Sequence, residues 1–208
     1  MKNGFEMKKT FAILAAGLLL TCGTLRAGGT ESPSDARIEA IIGACSEIRS
    51  MKCDFRQIRR VPLMEGDQVS KGRMLYIQPS KLKWAYTEPY AYSLDVDGET
   101  VTVDGSEMPA DRSRMFQGIA GVIMGCMSGQ CLNDSRMFKV SMADAEGLWV
   151  ATMVPVRRDM KKMFQHMVLS FSSETGLLEK IEMEEVGGGS TVIEIENVQL
   201  NGNYEAEW

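Results

Sequence analysis

Histidine is almost absent from this sequence, since His166 is the only one in 208 residues. The five cysteines include no Cys-x-x-Cys pair, so the usual ligand spacing of a zinc site is missing. No Gly-x-Ser-x-Gly turn is present, and one histidine without a nucleophile motif does not indicate a catalytic triad. We therefore predict a protein that is not an enzyme, needs no metal or other cofactor, and keeps His166 at its surface or at a strand edge.

Positive charge is also in short supply. The chain has 23 Lys and Arg residues against 28 Asp and Glu, a formal net charge of −5. An acidic protein does not bind nucleic acid through counter-ion release, and anionic membrane surfaces repel it. We interpret the basic stretch at residues 157–162 as a solvated loop, with docking on an acidic partner as the alternative.

Long apolar runs are missing apart from residues 11–20. This run is too short to cross a bilayer, which takes about 20 residues. Two lysines precede it, and Ala27 ends a small-residue cleavage site. The pattern predicts a signal peptide over residues 1–27 and a single exported domain over residues 28–208, with a net charge of about −8.

Cysteines of the exported domain are the next feature. Because export permits disulfides, Cys45, Cys53, Cys126 and Cys131 could pair, and four cysteines allow three pairings. We expect at least one disulfide and keep buried free thiols as the alternative. The fifth cysteine, Cys22, lies in the signal segment and leaves open a lipid anchor instead of simple cleavage.

Alternation of apolar and polar residues fills most of the exported domain. The clearest block is residues 72–90, which predicts two strands joined by a Pro-Ser turn. Helical spacing predicts one helix over residues 35–49 and a second, glycine-dotted helix over residues 108–127. The other predicted strands cover residues 51–60, 92–96, 100–103, 138–143, 148–155, 167–172, 178–185 and 191–200. Together these elements predict a mainly β, α+β domain with one long, curved antiparallel sheet and helices on one side.

Several short motifs resemble the outer-membrane lipoprotein carrier family, LolA. They are Cys53-Asp54-Phe55-Arg56-Gln57, Gly72-Arg73-Met74-Leu75-Tyr76, Pro79-Ser80-Lys81-Leu82-Lys83-Trp84-Ala85-Tyr86, Pro89, Asp97-Gly98, Pro155, Lys162-Met163-Phe164, Thr175-Gly176 and Ile195-Glu196-Asn197-Val198. The resemblance implies an unclosed antiparallel half-barrel with a helical lid over an apolar cavity. It also implies a periplasmic, monomeric carrier that shields lipoprotein acyl chains without a cofactor. Its partners would be acylated lipoproteins, an inner-membrane lipoprotein-releasing complex and an outer-membrane acceptor.

The resemblance also suggests which residues form the site. Gln78 stands where many carriers have an arginine before the proline, so we expect it to latch the lid by a hydrogen bond without charge. Because side chains alternate along a strand, an inward Gln78 places Met74 and Tyr76 inward too. We predict that the lipid-binding lining is formed by Met74, Tyr76, Leu82, Trp84, Leu94, Met153, Met167 and Leu169. We predict that the lid is formed by Met115, Phe116, Ile119 and Ile123.

The sequence also bears on the flexibility of the lining and the lid and on the identity of the cargo. Sixteen methionines predict a soft lining, since Met side chains repack around irregular guests. Gly118, Gly121 and Gly125 weaken the second helix by about 1 kcal/mol each, which suits a mobile lid, although they could equally serve close packing. Alternative functions are a carrier of another lipid or glycolipid, a lipid-anchored acceptor held through Cys22, and an envelope adaptor whose barrel is filled.

Overall fold

The computed structural model describes residues 33–204 and Glu207, without the side chains at positions 33–35, 110–112, 114, 115 and 119. The predicted signal peptide, its cleavage site and Cys22 lie outside the described residues. The elements follow in the order α1 (Pro33–Ser46), β1 (Ser50–Arg60), β2 (Gln68–Ile77), β3 (Lys81–Glu88), β4 (Tyr92–Asp97), β5 (Thr100–Val103), β6 (Ser106–Glu107), α2 (Ala110–Met127), β7 (Phe138–Ala145), β8 (Leu148–Pro155), β9 (Phe164–Ser172), β10 (Leu178–Glu185) and β11 (Ser190–Leu200). Short 3-10 helices cover Gln130–Leu132 and Met160–Lys162.

All eleven strands form one sheet in the order β6-β5-β4-β3-β2-β1-β11-β10-β9-β8-β7. Every neighbouring pair is antiparallel. The two edge strands, β6 and β7, do not pair with each other in the described chain, so the barrel is unclosed. They are also consecutive strands of the chain, and α2 connects them. This architecture confirms the predicted mainly β half-barrel.

Element boundaries differ from the sequence-based prediction in three places. Helix α1 ends at Ser46, because the Asn201 side chain accepts a hydrogen bond from the Arg49 backbone N–H at 2.7 Å and the chain turns into β1. Strand β2 begins at Gln68, before the predicted block of residues 72–90, because it stays paired with β1 up to Arg59. Strand β6 has only two residues, too few for alternation to reveal it.

Helix α1 covers one end of the concave face of the sheet. It buries Ile38, Ile41 and Cys45 in the core, and Ile48, just after its end, is buried beside them. Two turns with positive φ meet this helix: a Cβ at Gly129 would lie 3.3 Å from Ile41 Cγ2, and one at Gly176 would lie 2.8 Å from Ala44 Cβ. Glycine at these turns therefore permits both the backbone conformation and the close approach of α1.

The opposite, convex face carries charge. Arg56 pairs with Glu194 at 2.8 Å and Lys71 with Glu88 at 3.1 Å, both across strands and both partly exposed, so each pair contributes little to stability. His166 lies on this face, with its Nε2 3.5 Å from a carboxylate oxygen of Glu184. Within the described residues, neither helix combines the length and the apolar character that a bilayer-crossing helix requires.

A glycine in β2 makes room for the aromatic ring of Phe55 on the neighbouring strand. Gly72 is paired with Phe55 of β1, and the Phe55 ring occupies the space that a Cβ at Gly72 would fill, 2.4 Å from the ring's Cζ. A Cβ would also lie 2.2 Å from the backbone oxygen of Ala85 on β3. No rotamer change relieves a clash with backbone, so glycine is required here.

We predict that Gly72→Ala destabilises the fold by about 1–3 kcal/mol, because either the Phe55 ring or the β2–β3 ladder must shift. Urea denaturation followed by circular dichroism measures the change. Gly187→Ala is the matched control, since its Cβ meets nothing within 4 Å, and it should change stability by less than about 0.5 kcal/mol. Equal stability of the two variants would contradict the argument.

Candidate functional site

A cavity of about 490 Å³ lies between α2 and the concave face of the sheet. Most of its wall is apolar or aromatic, and the wall is shared by β1, β3, β4, α2, β9, β10, β11 and the loop between β8 and β9. The lining residues are Gln57, Trp84, Tyr86, Tyr92, Leu94, Phe116, Gly118, Val122, Ile123, Cys126, Met137, Arg157, Asp159, Met160, Met163, Phe164, Met167, Ile181, Met183 and Ile193. A volume of this size is typical of a small-molecule pocket.

The mouth of the cavity is marked by lining residues that also reach solvent. Tyr92, at the start of β4, is 36% exposed, and Met163, at the end of the β8–β9 loop, is 44% exposed. Arg157 and Asp159 of the same loop form an ion pair at 2.5 Å and also belong to the wall. The cavity therefore opens at the end of the sheet opposite α1.

Three of the predicted lining residues lie in this wall, namely Trp84, Leu94 and Met167. The predicted lid residues Phe116 and Ile123 also line it, from α2. The side chains of Met115 and Ile119, the other two predicted lid residues, are outside the described part of α2. Contact of any of these residues with a ligand remains a prediction.

The other five predicted lining residues are buried in the packed core and are not in the cavity wall: Met74, Tyr76, Leu82, Met153 and Leu169. Helix α1 explains part of this placement, because it occupies the concave face beside Tyr76. Burial, with a smaller effect of the neighbouring Cys45 thiol on α1, raises the pKa of Tyr76. Side-chain alternation identifies the concave face but does not tell which part of it a helix fills.

Gln78, the predicted latch, lies at the end of β2 and is half-buried. Its backbone N–H donates to the Arg49 carbonyl at 2.9 Å. Its side chain makes no hydrogen bond within the described chain. A side-chain hydrogen bond between α2 and the β4–β5 turn runs instead from Gln117 Nε2 to the Glu99 carbonyl, at 2.6 Å.

Sequence reasoning missed the wall contributed by β10 and β11. Ile181, Met183 and Ile193 line the cavity, but none of them is among the predicted lining residues. The alternation of glutamate with apolar residues along β10 contained the needed signal, because the residues between the glutamates must face inward. Tyr86 follows the same rule, two residues after Trp84.

The β8–β9 loop is the second omission, since we interpreted its basic stretch as a solvated loop. Arg157 and Arg158 are indeed exposed, but Met160 is buried and lines the cavity. The loop is compact because the Arg157 guanidinium donates two hydrogen bonds to Asp159, at 3.1 and 2.5 Å. No periodicity marks a single inward methionine among six mostly charged residues.

Aromatic rings form one side of the cavity. The centroids of Phe55 and Trp84 are 4.2 Å apart, and Phe55 meets Tyr86 edge-on at 5.3 Å. Tyr92 continues the row, 6.2 Å from Tyr86. The Tyr86 hydroxyl donates a hydrogen bond of 3.0 Å to Gln57 Oε1, which places a polar pair in an otherwise apolar wall.

The four predicted disulfide cysteines, Cys45, Cys53, Cys126 and Cys131, are buried free thiols in the structure. Cys126 hydrogen-bonds Cys131, and that contact, together with burial, raises the pKa of Cys131. Cys45 lies close enough to Cys131 for the two thiols to interact. Three of the four thus meet where α1, the end of α2 and the following 3-10 helix converge, while the disulfide pairing remains a prediction.

Two of the three glycines in α2, Gly118 and Gly121, do not permit a close packing contact. A Cβ at Gly118 or at Gly121 would meet nothing within 4 Å, whereas one at Gly125 would lie 3.6 Å from Cys131 Cβ. The first two therefore lower helix stability without a compensating contact. In the described residues, no group of three or more His, Cys, Asp or Glu side chains could hold a metal ion.

Comparison with known proteins agrees with this geometry. The family model for the outer membrane lipoprotein carrier protein LolA matches residues 46–208. An outer-membrane lipoprotein carrier protein of Methylobacillus flagellatus is 26% identical, over 88% of this chain and 84% of its own length. One from Cupriavidus taiwanensis is 22% identical, over 91% and 90%. The crystal structure of a LolA superfamily protein from Nitrosomonas europaea covers 83% of this chain and 96% of its own, with a TM-score of 0.42 and 9% identity.

The fold and the cavity define the class of protein, an unclosed half-barrel with a helix laid over an apolar hollow. The family match covers most of the chain, and the chain belongs to the LolA family. This confirms the resemblance inferred from the motifs. The family is described as one of carriers, not of enzymes.

The buried thiols predict a loss of stability at high pH. Burial raises the pKa of Cys45 from 9.0 to about 11 and that of Cys53 from 9.0 to about 12. Because the unfolded chain loses these protons first, the free energy of unfolding should be constant up to about pH 8 and should fall above pH 9. The slope approaches about 1.4 kcal/mol per pH unit for each thiol.

Urea denaturation in reducing buffer between pH 7 and pH 10 measures this decrease. The variant Cys53→Ala should remove about a third of it, whatever its stability at neutral pH, because one of the three thiols with a raised pKa, Cys45, Cys53 and Cys131, is gone. A profile that stays flat to pH 10 would show that the thiols do not remain protonated in the folded protein.

Proposed function

We propose that this protein is a periplasmic carrier that shields the acyl chains of lipoproteins on the way from the inner to the outer membrane. The cavity under α2 supports this proposal most directly, together with membership of the LolA family. The predicted partners are acylated lipoproteins, a releasing complex of the inner membrane and an acceptor of the outer membrane. Neither a cofactor nor a nucleic acid takes part, and the carrier acts as a monomer.

The size of the cavity limits what it can hold without rearrangement. A methylene group is about as large as a water molecule, which takes about 30 Å³ in the liquid. The 490 Å³ of the cavity therefore corresponds to on the order of sixteen methylene groups, or one long acyl chain. A lipoprotein with two or three chains requires α2 to move away from the sheet.

Release needs the same helix. Burying a long acyl chain stabilises the complex by on the order of 10 kcal/mol, at about 0.8 kcal/mol per methylene. Phe116, Val122 and Ile123 of α2 line the cavity, so they must be displaced when a second or third chain enters, and they return when that chain leaves. This exchange of one apolar contact for another keeps net affinity low enough for delivery.

A second candidate is a carrier of another lipid, such as a single-chain lipid or a glycolipid. The volume of the closed cavity favours it, because one chain fits without any movement of α2. An acceptor anchored through Cys22 and an adaptor with a filled barrel are the further alternatives. All of them predict different material bound to the protein isolated from the periplasm.

Mass spectrometry of the protein purified from its exported fraction distinguishes these candidates. Acylated proteins in the complex would support the lipoprotein carrier, and free lipid alone would support the second candidate. A lipid-modified N-terminal cysteine on the protein itself would identify an anchored acceptor. Absence of any ligand, with no uptake of a fluorescent fatty acid, would favour the adaptor.

Filling the cavity should abolish lipid uptake. Met183 lies in the wall on β10, so Met183→Trp should lower the affinity for a fluorescent fatty acid at least tenfold by occupying the space of the chain. Glu184→Trp is the matched control, because its side chain is on the convex face of the same strand and is exposed. Fluorescence titration measures both, and equal affinities would contradict the proposed binding site.

Loosening the lid should speed uptake. Gln117→Ala removes the hydrogen bond to the Glu99 carbonyl and should raise the association rate of the probe by up to about fivefold, the equivalent of one hydrogen bond. Stopped-flow fluorescence measures the rate. Gln78→Ala is the comparison, since the Gln78 side chain makes no hydrogen bond in the described chain. A larger effect at Gln78 would support the latch predicted from the sequence.

A further inference from the structure

The apolar wall of the cavity contains one pair of neutral polar side chains whose hydrogen-bonding capacity is only half used. Gln57 is at the middle of β1 and Tyr86 is near the end of β3, and both line the cavity. The Tyr86 hydroxyl donates to Gln57 Oε1 at 3.0 Å. No acceptor among the described residues bonds to Gln57 Nε2, so its two N–H groups remain available in the wall.

This surplus of donors does not depend on how the Gln57 amide is oriented. In one orientation, Tyr86 donates to the amide oxygen and the amide N–H groups are free. In the reversed orientation, the amide N–H donates to the phenol oxygen and the Tyr86 O–H is free. At least one donor therefore faces the cavity in either case.

The positions of these donors are fixed by their neighbours. Phe55 meets Tyr86 edge-on at 5.3 Å, and Tyr92 lies 6.2 Å away on the other side. Burial raises the pKa of Tyr86, opposed by the nearby Trp84 and Gln57 groups, so its hydroxyl keeps its proton at neutral pH. The Trp84 indole N–H beside it is buried and also makes no hydrogen bond, although it is near enough to influence the phenol.

We propose that Gln57 and Tyr86 form a subsite that binds the carbonyl oxygen of an acyl ester or amide. The ligand must offer an acceptor on an apolar body, and the carbonyl at the head of an esterified or amide-linked acyl chain meets both conditions. This inference rests on the proposed function, because it specifies which part of an acylated ligand the cavity recognises through a hydrogen bond.

A free fatty acid fits the subsite less well than an ester. Its carboxylate would be charged, and burying a charge requires a partner of opposite sign. Arg157, the cation among the described residues of the cavity wall, is already paired with Asp159 at the mouth. Arg59 is near enough to Tyr86 to lower its pKa, but Arg59 itself lies 3.6 Å from a carboxylate oxygen of Glu185. The subsite therefore favours a neutral carbonyl.

The test compares ligands that differ only in the carbonyl. Dioctanoylglycerol and its dioctyl ether analogue each displace a bound fluorescent probe, aminoanthracene, from the purified protein. We expect the ester to bind about fivefold more tightly than the ether, as one added hydrogen bond predicts. The double variant Gln57→Leu/Tyr86→Phe removes both donors and should bring the ratio close to one, whereas either single variant leaves one donor and should keep part of the preference.

Matched controls separate the subsite from general damage to the cavity. Met167→Leu conserves volume in the same wall and should retain the fivefold preference. The ratio of the two affinities is the readout, so a variant of reduced stability is still informative. Equal binding of ester and ether by the wild-type protein, or a preference that survives in the double variant Gln57→Leu/Tyr86→Phe, would overturn the subsite.

The same assay distinguishes failure of the subsite from failure of the proposed function. If neither ligand displaces the probe, the cavity does not bind acyl chains and both inferences fall. If both ligands bind equally, the carrier function stands and only the subsite fails. A diacylated lipopeptide and its dialkyl analogue form a second series, and a larger preference in that series than in the glycerolipid series would assign the carbonyl to acylated proteins rather than to glycerolipids.

Discussion

The packing of the Phe55 ring over Gly72 is the contact on which the cavity wall depends. The ring occupies the space that any other residue at position 72 would fill. From there it stacks at 4.2 Å on Trp84 and meets Tyr86 edge-on, so that both rings are held against the sheet. Aromatic pairs of this kind contribute about 0.5–1.5 kcal/mol beyond their buried area. The absence of a side chain at Gly72 on β2 thereby positions Phe55 on β1 and the two rings on β3.

The two helices use the same concave face in opposite ways. Helix α1 fills its end of the half-barrel with Ile38, Ile41 and Cys45, and the sheet residues beneath it are fully packed. Helix α2 leaves a hollow, and its glycines at positions 118 and 121 contact nothing that would stabilise a closed arrangement. The protein thus combines a conventional core, which supplies the stability of the fold, with an adjoining space that a guest can enter. Methionines such as Met167 and Met183 in the wall of that space adapt readily to its contents.

Local pattern predicted the strands and both helices well, because period-two alternation and helical spacing are properties of a few neighbouring residues. It could not predict which inward residues would be solvent-free core and which would line a cavity. Tyr76 and Trp84 have the same pattern, yet Tyr76 lies beside α1 and Trp84 faces the hollow. Met160 was missed for a related reason, since an ion pair between its neighbours Arg157 and Asp159 shapes the loop that turns it inward. These distinctions are made by tertiary packing, which no short window of sequence contains.

Helix α2 joins the two edge strands of the unclosed sheet, β6 and β7. The helix is therefore tied to both edges of the half-barrel and is not hinged at one edge. Any separation of the two edge strands must shift or bend α2, so the width of the half-barrel and the position of the helix change together.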